Sequence, residues 1–159
     1  MIRAVLTVGG VGYLRPASGT WASALAVALG LGLHALGGFP LLAGALVGVT
    51  GAGFWACHGG LSAGEDPPEV VIDEVAGQWL ALCFPSFAFW NMGLDSFPYP
   101  GWLAAFVFFR LFDIWKPWVI GWADRRGDAW GVMLDDLLAG GAAGIAVILA
   151  AAVAHGVLR

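Results

Sequence analysis

The chain has 159 residues, of which 60% are hydrophobic and only 11% are charged, and its mean hydropathy is +0.83. A water-soluble domain usually carries about 25% charged residues, so this composition excludes an ordinary soluble globule, a coiled coil and a disordered tail. The net charge of -4 also excludes a protein that binds nucleic acid through bulk positive charge. We therefore expect a single membrane-embedded domain over residues 1–159.

The first apolar stretch is long enough for two membrane spans. Arg15 and Pro16 interrupt the N-terminal apolar run, so we do not expect a cleaved signal peptide. Residues 17–64 then follow without a charged side chain and are divided by Gly37-Gly38-Phe39-Pro40. Because a transmembrane helix needs about 20 mostly apolar residues, this stretch predicts two spans joined by a tight turn.

Three further apolar stretches each predict one helix. Residues 75–94 and 137–158 contain no charged side chain. Residues 100–120 are also apolar, but they include three ionisable groups, and Pro117 should kink or end the helix. The expected fold is an all-α membrane bundle of about five hydrophobic helices, the fourth of which carries charges near the membrane surface.

The basic residues predict the orientation of the bundle, since Lys and Arg gather on the cytoplasmic side of a membrane. A cytoplasmic N-terminus places six of the seven basic residues at or near that side and leaves only Arg159 outside. The same orientation places ten of the eleven acidic residues inside and leaves only Asp95 outside. The polar chemistry is therefore expected at the cytoplasmic face.

Three acidic clusters should meet on that face. Asp73-Glu74 opens the third span, Asp113 lies on the fourth helix, and Asp135-Asp136 opens the last span after a loop that contains Asp124. Each cluster alone could be an ordinary helix cap. Together they favour a metal site, because ionisable groups at the edge of hydrocarbon are costly and Mg²⁺ prefers hard oxygen ligands.

Basic residues and glycines flank these carboxylates. Arg110 and Lys116 each lie three residues from Asp113, so a helix places both near it, in a site or in a salt-bridge trio. Gly77 and Gly140 follow the acidic pairs by one turn and would permit close helix packing. Oligomerisation through a Gly-xxx-Gly pattern stays an open question.

A turn before the first span could bind an anion. The sequence Pro-Ala-Ser-Gly-Thr at 16–20 can present backbone N–H groups and hydroxyls there, although Ser18 and Thr20 are equally ordinary helix caps. The chain has no Cys-x5-Arg loop, Gly-x-Ser-x-Gly elbow, Walker A motif or Asp-x-Asp start. With these catalytic motifs absent, the acidic clusters favour metal-assisted chemistry on an oxyanion.

Five segments, in this order, resemble bacterial phosphatidylglycerophosphatase A. They are PASGTW (16–21), IDEVAGQW (72–79), FRLFDIWKPW (109–118), WADR (122–125) and GVMLDDLLAG (131–140). The resemblance covers most of the chain, and the Arg-x-x-Asp-x-x-Lys-Pro and Asp-Asp-x-x-Ala-Gly segments together are specific. It implies a Mg²⁺-dependent lipid phosphatase of the bacterial inner membrane that converts phosphatidylglycerophosphate to phosphatidylglycerol and phosphate.

The motifs and the resemblance together assign roles to the polar residues. The predicted metal ligands are Asp73, Glu74, Asp113, Asp135 and Asp136, with Asp124 as a further candidate. The predicted phosphate-binding residues are Arg110, Lys116, Arg125, Ser18, Gly19 and Thr20. The predicted catalytic carboxylates are Asp73, Asp113 and Asp136. Either Asp73 or Asp136 would be the general base, and a covalent aspartyl-phosphate stays open beside attack by water.

Two other functions fit the same carboxylates. A membrane carrier of cations or protons would use them as a relay, but it predicts polar residues through the middle of the spans. A non-enzymatic assembly subunit would use the acidic rim as a docking surface. Substitutions in the rim would then disrupt a complex and leave phosphate release unchanged.

Overall fold

The computed structural model describes residues 1–62, 65 and 67–157, and in these residues the secondary structure is helical, without strands. The predicted all-α class is confirmed. The helices are α1 Ile2–Leu6, α2 Ser18–Gly60, α3 Ile72–Asn91, α4 Gly101–Trp115, α5 Val119–Asp124 and α6 Ala129–Val157, and a 3-10 turn, Val11–Tyr13, lies between α1 and α2.

The helix α2 is broken in its middle by two glycines. Gly37 has φ -156° and ψ 18°, and Gly38 has φ 63° and ψ -159°. The positive φ of Gly38 is one that residues with a Cβ rarely adopt, and an added Cβ would also collide with the indole of Trp90. The break lies within the predicted turn and divides α2 into two arms, residues 18–36 and 39–60.

The contacts of α2 with α3 show that the two arms run antiparallel. Gly19, at the start of the first arm, lies against Glu74 in the first turn of α3. The break lies against the end of α3, and Gly53 in the second arm lies against Ile72, back at the first turn. The helix α2 is therefore a hairpin whose two ends lie at the same end of the bundle.

The helix α3 lies at the centre, packed against α2, α4 and α6. Leu82, Phe109 and Ala139 are fully buried where these helices meet. Two glycines bring α3 and α6 unusually close. A Cβ on Gly77 would lie 2.5 Å from the carbonyl oxygen of Asp136, and a Cβ on Gly140 would overlap the carbonyl oxygen of Gly77. The predicted close packing at these glycines is thus present.

The helix α4 ends at Trp115, as Pro117 predicts. Lys116 adopts left-handed backbone angles (φ 48°, ψ 54°), and the chain then starts the separate short helix α5. The apolar stretch over residues 100–120 therefore contains α4 and the start of α5, in agreement with the prediction that Pro117 kinks or ends the helix. The 15 residues of α4 rise about 22 Å, which is less than the roughly 30 Å of a hydrocarbon core.

The end of the bundle opposite the acidic residues is held by a buried histidine. His34 is 1% exposed, its Nδ1 lies 2.7 Å from the hydroxyl of Ser86, and its Nε2 lies 3.1 Å from the carbonyl oxygen of Leu94. Its ring also packs edge-on against Phe97. These contacts fasten the first arm of α2 to α3 and to the loop that follows it.

Two helices are long and apolar enough to cross a membrane by length and composition, α2 and residues Ala129–Gly156 of α6. Together with the overall apolar composition, these two helices indicate a membrane protein. The count of five spans and the cytoplasmic N-terminus stay predictions. Arg159, which was expected on the outer side, lies outside the described residues.

Candidate active site

One end of the bundle gathers the acidic residues around a cavity of about 340 Å³. The start of α3, the end of α4 and the second turn of α6 meet there, together with the loop before α3. The cavity is lined by seven carboxylates and, among the described residues, one lysine. The carboxylates are those of Glu65, Asp73, Glu74, Asp113, Asp124, Asp135 and Asp136, and the lysine is Lys116.

Three of these carboxylates converge on one point. Asp73, Glu74 and Asp136 each offer an oxygen atom, and the three atoms lie within 4.8 Å of one another. Glu74 Oε2 is buried and has no hydrogen-bond partner within the described part of the chain. Because buried carboxylates this close repel one another, the trio suits a bound cation or shared protons.

The structure shows that Asp135 and Asp136 do not cap the start of α6. The helix α6 begins at Ala129, a full turn or more before them, so the prediction that this pair opens the helix is wrong. Asp128 caps the helix instead, because its Oδ1 accepts a hydrogen bond of 2.8 Å from the N–H of Gly131. The side chains of Asp135 and Asp136 are therefore not needed to satisfy the start of α6.

Lys116 lies on the cavity wall between two carboxylates. Its Nζ donates a hydrogen bond of 2.6 Å to Asp135 Oδ2 and another to Asp124 Oδ1. Burial by itself lowers the pKa of this ammonium, but the two hydrogen bonds outweigh burial and raise the pKa above its ordinary value. Lys116 therefore stays protonated and keeps one positive charge in an acidic cavity.

Arg110 lies behind the carboxylates rather than on the cavity surface. Its Nη1 pairs with Asp113 Oδ2 at 2.6 Å and lies 3.4 Å from the hydroxyl of Ser23. A Cβ on Gly19 would lie 3.2 Å from the same nitrogen, so the guanidinium fits against the first turn of α2. In this position Arg110 pairs with Asp113 from within the bundle.

The turn before α2 contributes less to the cavity than its sequence suggested. Ser18 lines the cavity and donates a hydrogen bond of 2.6 Å to the carbonyl oxygen of Pro68. Gly19 is buried against Glu74. Thr20 and the exposed Arg125 are not among the cavity-lining residues. Contacts with a phosphate stay predictions for all six proposed residues, Ser18, Gly19, Thr20, Arg110, Lys116 and Arg125.

Comparison with known proteins identifies the family. The family model for phosphatidylglycerophosphatase A matches residues 4–151. The chain belongs to the phosphatidylglycerophosphatase A family. The resemblance inferred from the five motif segments is confirmed, and so is the enzyme class that it implies, a phosphatase.

The names of individual relatives refer to two different lipid substrates. A Haemophilus influenzae protein named phosphatidylglycerophosphatase A is 33% identical over 85% of this chain and 80% of its own length. An Escherichia coli protein of the same name is 38% identical over 47% of this chain and 39% of its own length. A Bacteroides thetaiotaomicron protein, provisionally named a phosphatidylinositol-3-phosphatase, is 36% identical over 82% of this chain and 81% of its own length. No solved structure matches the chain.

Two buried polar residues of this phosphatidylglycerophosphatase A family member, Gln78 and Ser23, were not predicted from the sequence. Gln78 is completely buried, and neither polar atom of its amide has a hydrogen-bond partner in the described residues. Ser23 is buried beside Arg110 and donates a hydrogen bond of 2.8 Å to the carbonyl oxygen of Gly19. The available signal was helical spacing, since each follows a site residue, Glu74 or Gly19, by four positions.

Proposed function

We propose that this protein hydrolyses the terminal phosphate of phosphatidylglycerophosphate to give phosphatidylglycerol and inorganic phosphate. The observation that carries the proposal is the acidic cavity with one lysine, in a chain that belongs to the phosphatidylglycerophosphatase A family. The provisional substrate name of the Bacteroides thetaiotaomicron relative makes phosphatidylinositol 3-phosphate the competing substrate to be tested.

The charge of the cavity supports a cation as part of the site. In the described part of the chain, seven carboxylates and one lysine line the cavity, so a phosphate dianion would meet strong repulsion without further positive charge. The convergent oxygens of Asp73, Glu74 and Asp136, with the unpartnered Glu74 Oε2, fit a divalent ion. We assign these three residues as ligands of Mg²⁺, with Asp113 and Asp135 beside them. A bound Mg²⁺ would withdraw charge from the phosphoryl oxygens and acidify the attacking water.

The protein's own side chains would position the phosphate and move the proton. Lys116 is the cation on the cavity wall, and it would contact a non-bridging phosphate oxygen as a point charge. Arg110 pairs with Asp113 from behind and holds that carboxylate in its orientation. Asp73 or Asp136, both buried and both on the cavity, takes the proton from the attacking water.

The proposed topology places this cavity at the cytoplasmic rim of the membrane. The two arms of α2 together with α3, α4 and α6 form five membrane-embedded segments. The ends of these segments that carry the acidic residues also carry most of the basic residues. Arg3 contacts Glu69 at 3.5 Å, which ties the N-terminus to the loop beside the cavity. By the positive-inside tendency, this end faces the cytoplasm, where lipid headgroups would meet the cavity.

Cysteine labelling tests this orientation. In protein that lacks Cys57 and Cys83, Arg126→Cys should react with a membrane-impermeant maleimide only in inside-out vesicles. Asp95→Cys should react only in intact spheroplasts. The opposite pattern would overturn the cytoplasmic placement and leave the chemistry of the cavity unaffected.

The position of the charges favours hydrolysis over ion transport. The acidic cavity lies at one end of the bundle, whereas the opposite end is closed by His34, Ser86 and Phe97. A carrier needs polar groups along a path through the membrane. The one-sided cavity therefore supports an enzyme that acts on a headgroup at the membrane surface.

The decisive experiment measures phosphate release by the purified protein in detergent. Phosphatidylglycerophosphate, phosphatidylinositol 3-phosphate and phosphatidic acid are supplied separately, with Mg²⁺ or with a chelator. We expect fastest release from phosphatidylglycerophosphate, and only with Mg²⁺. Faster release from phosphatidylinositol 3-phosphate would change the substrate, and no release from any of the three would overturn the phosphatase proposal.

Matched variants connect the activity to the cavity. Asp73→Asn and Asp136→Asn should abolish release while the protein stays folded. Asp95→Asn, which makes the same change at an exposed residue far from the cavity, should leave release unchanged. In single-turnover reactions with ¹⁸O-water, label should enter the phosphate directly. Label in an aspartate side chain would instead identify a covalent aspartyl-phosphate that water hydrolyses at the carbonyl carbon.

A further inference from the structure

An apolar groove lies between the end of α4, α5 and the outer face of α6, and its volume is about 340 Å³. Every residue that lines it is apolar. Half-buried small residues, Ala142 and Ala146, lie between more exposed side chains such as Ile145 and Leu149. The groove faces outward, on the surface that a membrane would cover.

Residues that line the groove follow closely on residues that line the acidic cavity. Lys116 lines the cavity, and the next residue, Pro117, lines the groove. On α6, Asp135 lines the cavity, and Leu138, one turn further along the helix, lines the groove. The cavity and the groove are thus lined by consecutive residues of the α4–α5 connection and by successive turns of α6, so a molecule with a charged head and an apolar tail could reach from one to the other.

The length of the groove matches one leaflet of a bilayer. From Leu138 to Leu149 the helix α6 rises about 17 Å at 1.5 Å per residue. Half of a hydrocarbon core about 30 Å thick is about 15 Å. The groove therefore extends from the rim that holds the cavity to about the middle of the membrane.

An exposed tryptophan, Trp118, lines the groove two residues after Lys116 of the cavity. Trp118 is 86% exposed and has a positive φ of 45°, a backbone conformation that is strained for any residue with a Cβ. Tryptophan is enriched at the level of lipid headgroups. Its position close to Lys116 in sequence is consistent with a groove whose cavity end lies at headgroup depth.

We propose that this groove binds one acyl chain of the phosphorylated lipid substrate while its phosphate occupies the acidic cavity. The inference rests on the proposed function and adds the binding site for the lipid tail. Since lipid tails are as apolar as the groove, binding there gains close packing rather than exclusion of water. Its effect is to hold the headgroup at the depth and orientation that the carboxylates require.

Filling the groove tests the proposal through chain-length dependence. Ala146→Phe places a ring in the groove, and Ile145→Trp is a second variant at an exposed position. The substrates are dioleoyl and dihexanoyl phosphatidylglycerophosphate, the second of which has chains too short to reach Ala146. We expect the KM for the dioleoyl substrate to rise about fivefold or more, equivalent to about 1 kcal/mol, and the KM for the dihexanoyl substrate to stay within about twofold.

Ala151→Phe is the matched control, because it makes the same change on the same helix at an exposed position outside the groove. It should leave both KM values within about twofold of wild type. Equal KM changes for long and short substrates in the groove variants would overturn the proposal.

Photolabelling gives a readout that does not depend on turnover. Phosphatidic acid with a diazirine in its acyl chain supplies a phosphomonoester headgroup, and diazirine phosphatidylcholine is the control for ordinary surrounding lipid. We expect the phosphatidic acid probe to label the groove residues more strongly than the control. Equal labelling by the two lipids, or a second copy of the chain crosslinked across the groove, would refute the acyl-chain site. Inactivity of wild-type protein on every lipid would refute the phosphatase function separately.

Discussion

The contact between Gly77 and α6 offers a direct test of how the bundle positions its carboxylates. Gly77→Ala would place a Cβ 2.5 Å from the carbonyl oxygen of Asp136 and 2.6 Å from Cε2 of Phe109. Real Cβ atoms essentially never approach another heavy atom more closely than 3.0 Å, so α3 and α6 must separate by at least about 0.5 Å. That shift moves Asp136 away from Asp73 and Glu74.

The cost follows from two opposing effects. Overpacking a tight contact costs about 1–3 kcal/mol. Alanine favours the helix over glycine by about 1 kcal/mol, which offsets part of that cost. Gly141→Ala is the matched control, because a Cβ there would meet nothing within 4 Å. The propensity gain is common to both variants, so their free energies of unfolding should differ by about 1–3 kcal/mol.

Thermal unfolding in detergent and phosphate release measure the two consequences. A difference of 1 kcal/mol corresponds to about 2–4 °C in Tm for a chain of this size. Because a 1 Å misplacement can cost about a hundredfold in rate, a shift of about half that size should lower kcat about tenfold. Gly140→Ala would place a Cβ on α6 against the carbonyl oxygen of Gly77, so it should also lower Tm and kcat.

Equal Tm and kcat values for Gly77→Ala and Gly141→Ala would refute a role for this contact in both stability and the positioning of Asp136. A lower Tm with unchanged kcat would show that the glycines stabilise the bundle without positioning Asp136. An unchanged Tm with a lower kcat would show that the contact affects the site alone.

Three further predictions concern stability. Gln78→Leu should raise Tm, because an unpartnered buried amide costs about 1–3 kcal/mol, and a lower Tm would show that the amide is hydrogen-bonded. Hydrogen bonds from Arg126 and from the N–H of Gly131 lower the pKa of Asp128, so the ionised side chain stabilises the fold fully above the ordinary pKa near 4 and less below it. The Tm difference between wild type and Asp128→Asn should therefore shrink as the pH falls from 5 to 3. A Tm difference that stays constant over this range would contradict the prediction. Mg²⁺ at a hundred times its Kd should stabilise the wild type by about 2.7 kcal/mol and raise its Tm. If Mg²⁺ raised the Tm of Asp136→Asn by the same amount, the ion would bind elsewhere.

Local patterns in the sequence predicted the long helices of the fold but not the short helices α1 and α5. The break at Gly37 and Gly38 and the end of α4 before Pro117 were both predicted, since glycine and proline act through the backbone of their own segment. The same holds for the apolar stretches that form α2 and α6. The start of α6 was misjudged because Asp128, rather than Asp135, supplies the cap.

The partners of Lys116 show where helical spacing failed. Spacing of three residues predicted that Lys116 and Arg110 would both flank Asp113. Arg110 does pair with Asp113, but Lys116 lies beyond the end of α4 in a left-handed conformation and pairs with Asp124 and Asp135 instead. The spacing rule applies only within one helix, and proline had ended that helix.

The sequence by itself determined that the chain is helical and apolar and that its carboxylates belong to a few helix ends, because each of these properties depends on neighbouring residues along the chain. Only the tertiary structure decided that Asp73, Glu74 and Asp136 converge, that Arg110 lies behind them and that Gln78 is buried. These relations depend on how closely α3 approaches α6 and α2. That approach is set by contacts between residues far apart in sequence, above all Gly77 against Gly140 and Gly19 against Glu74.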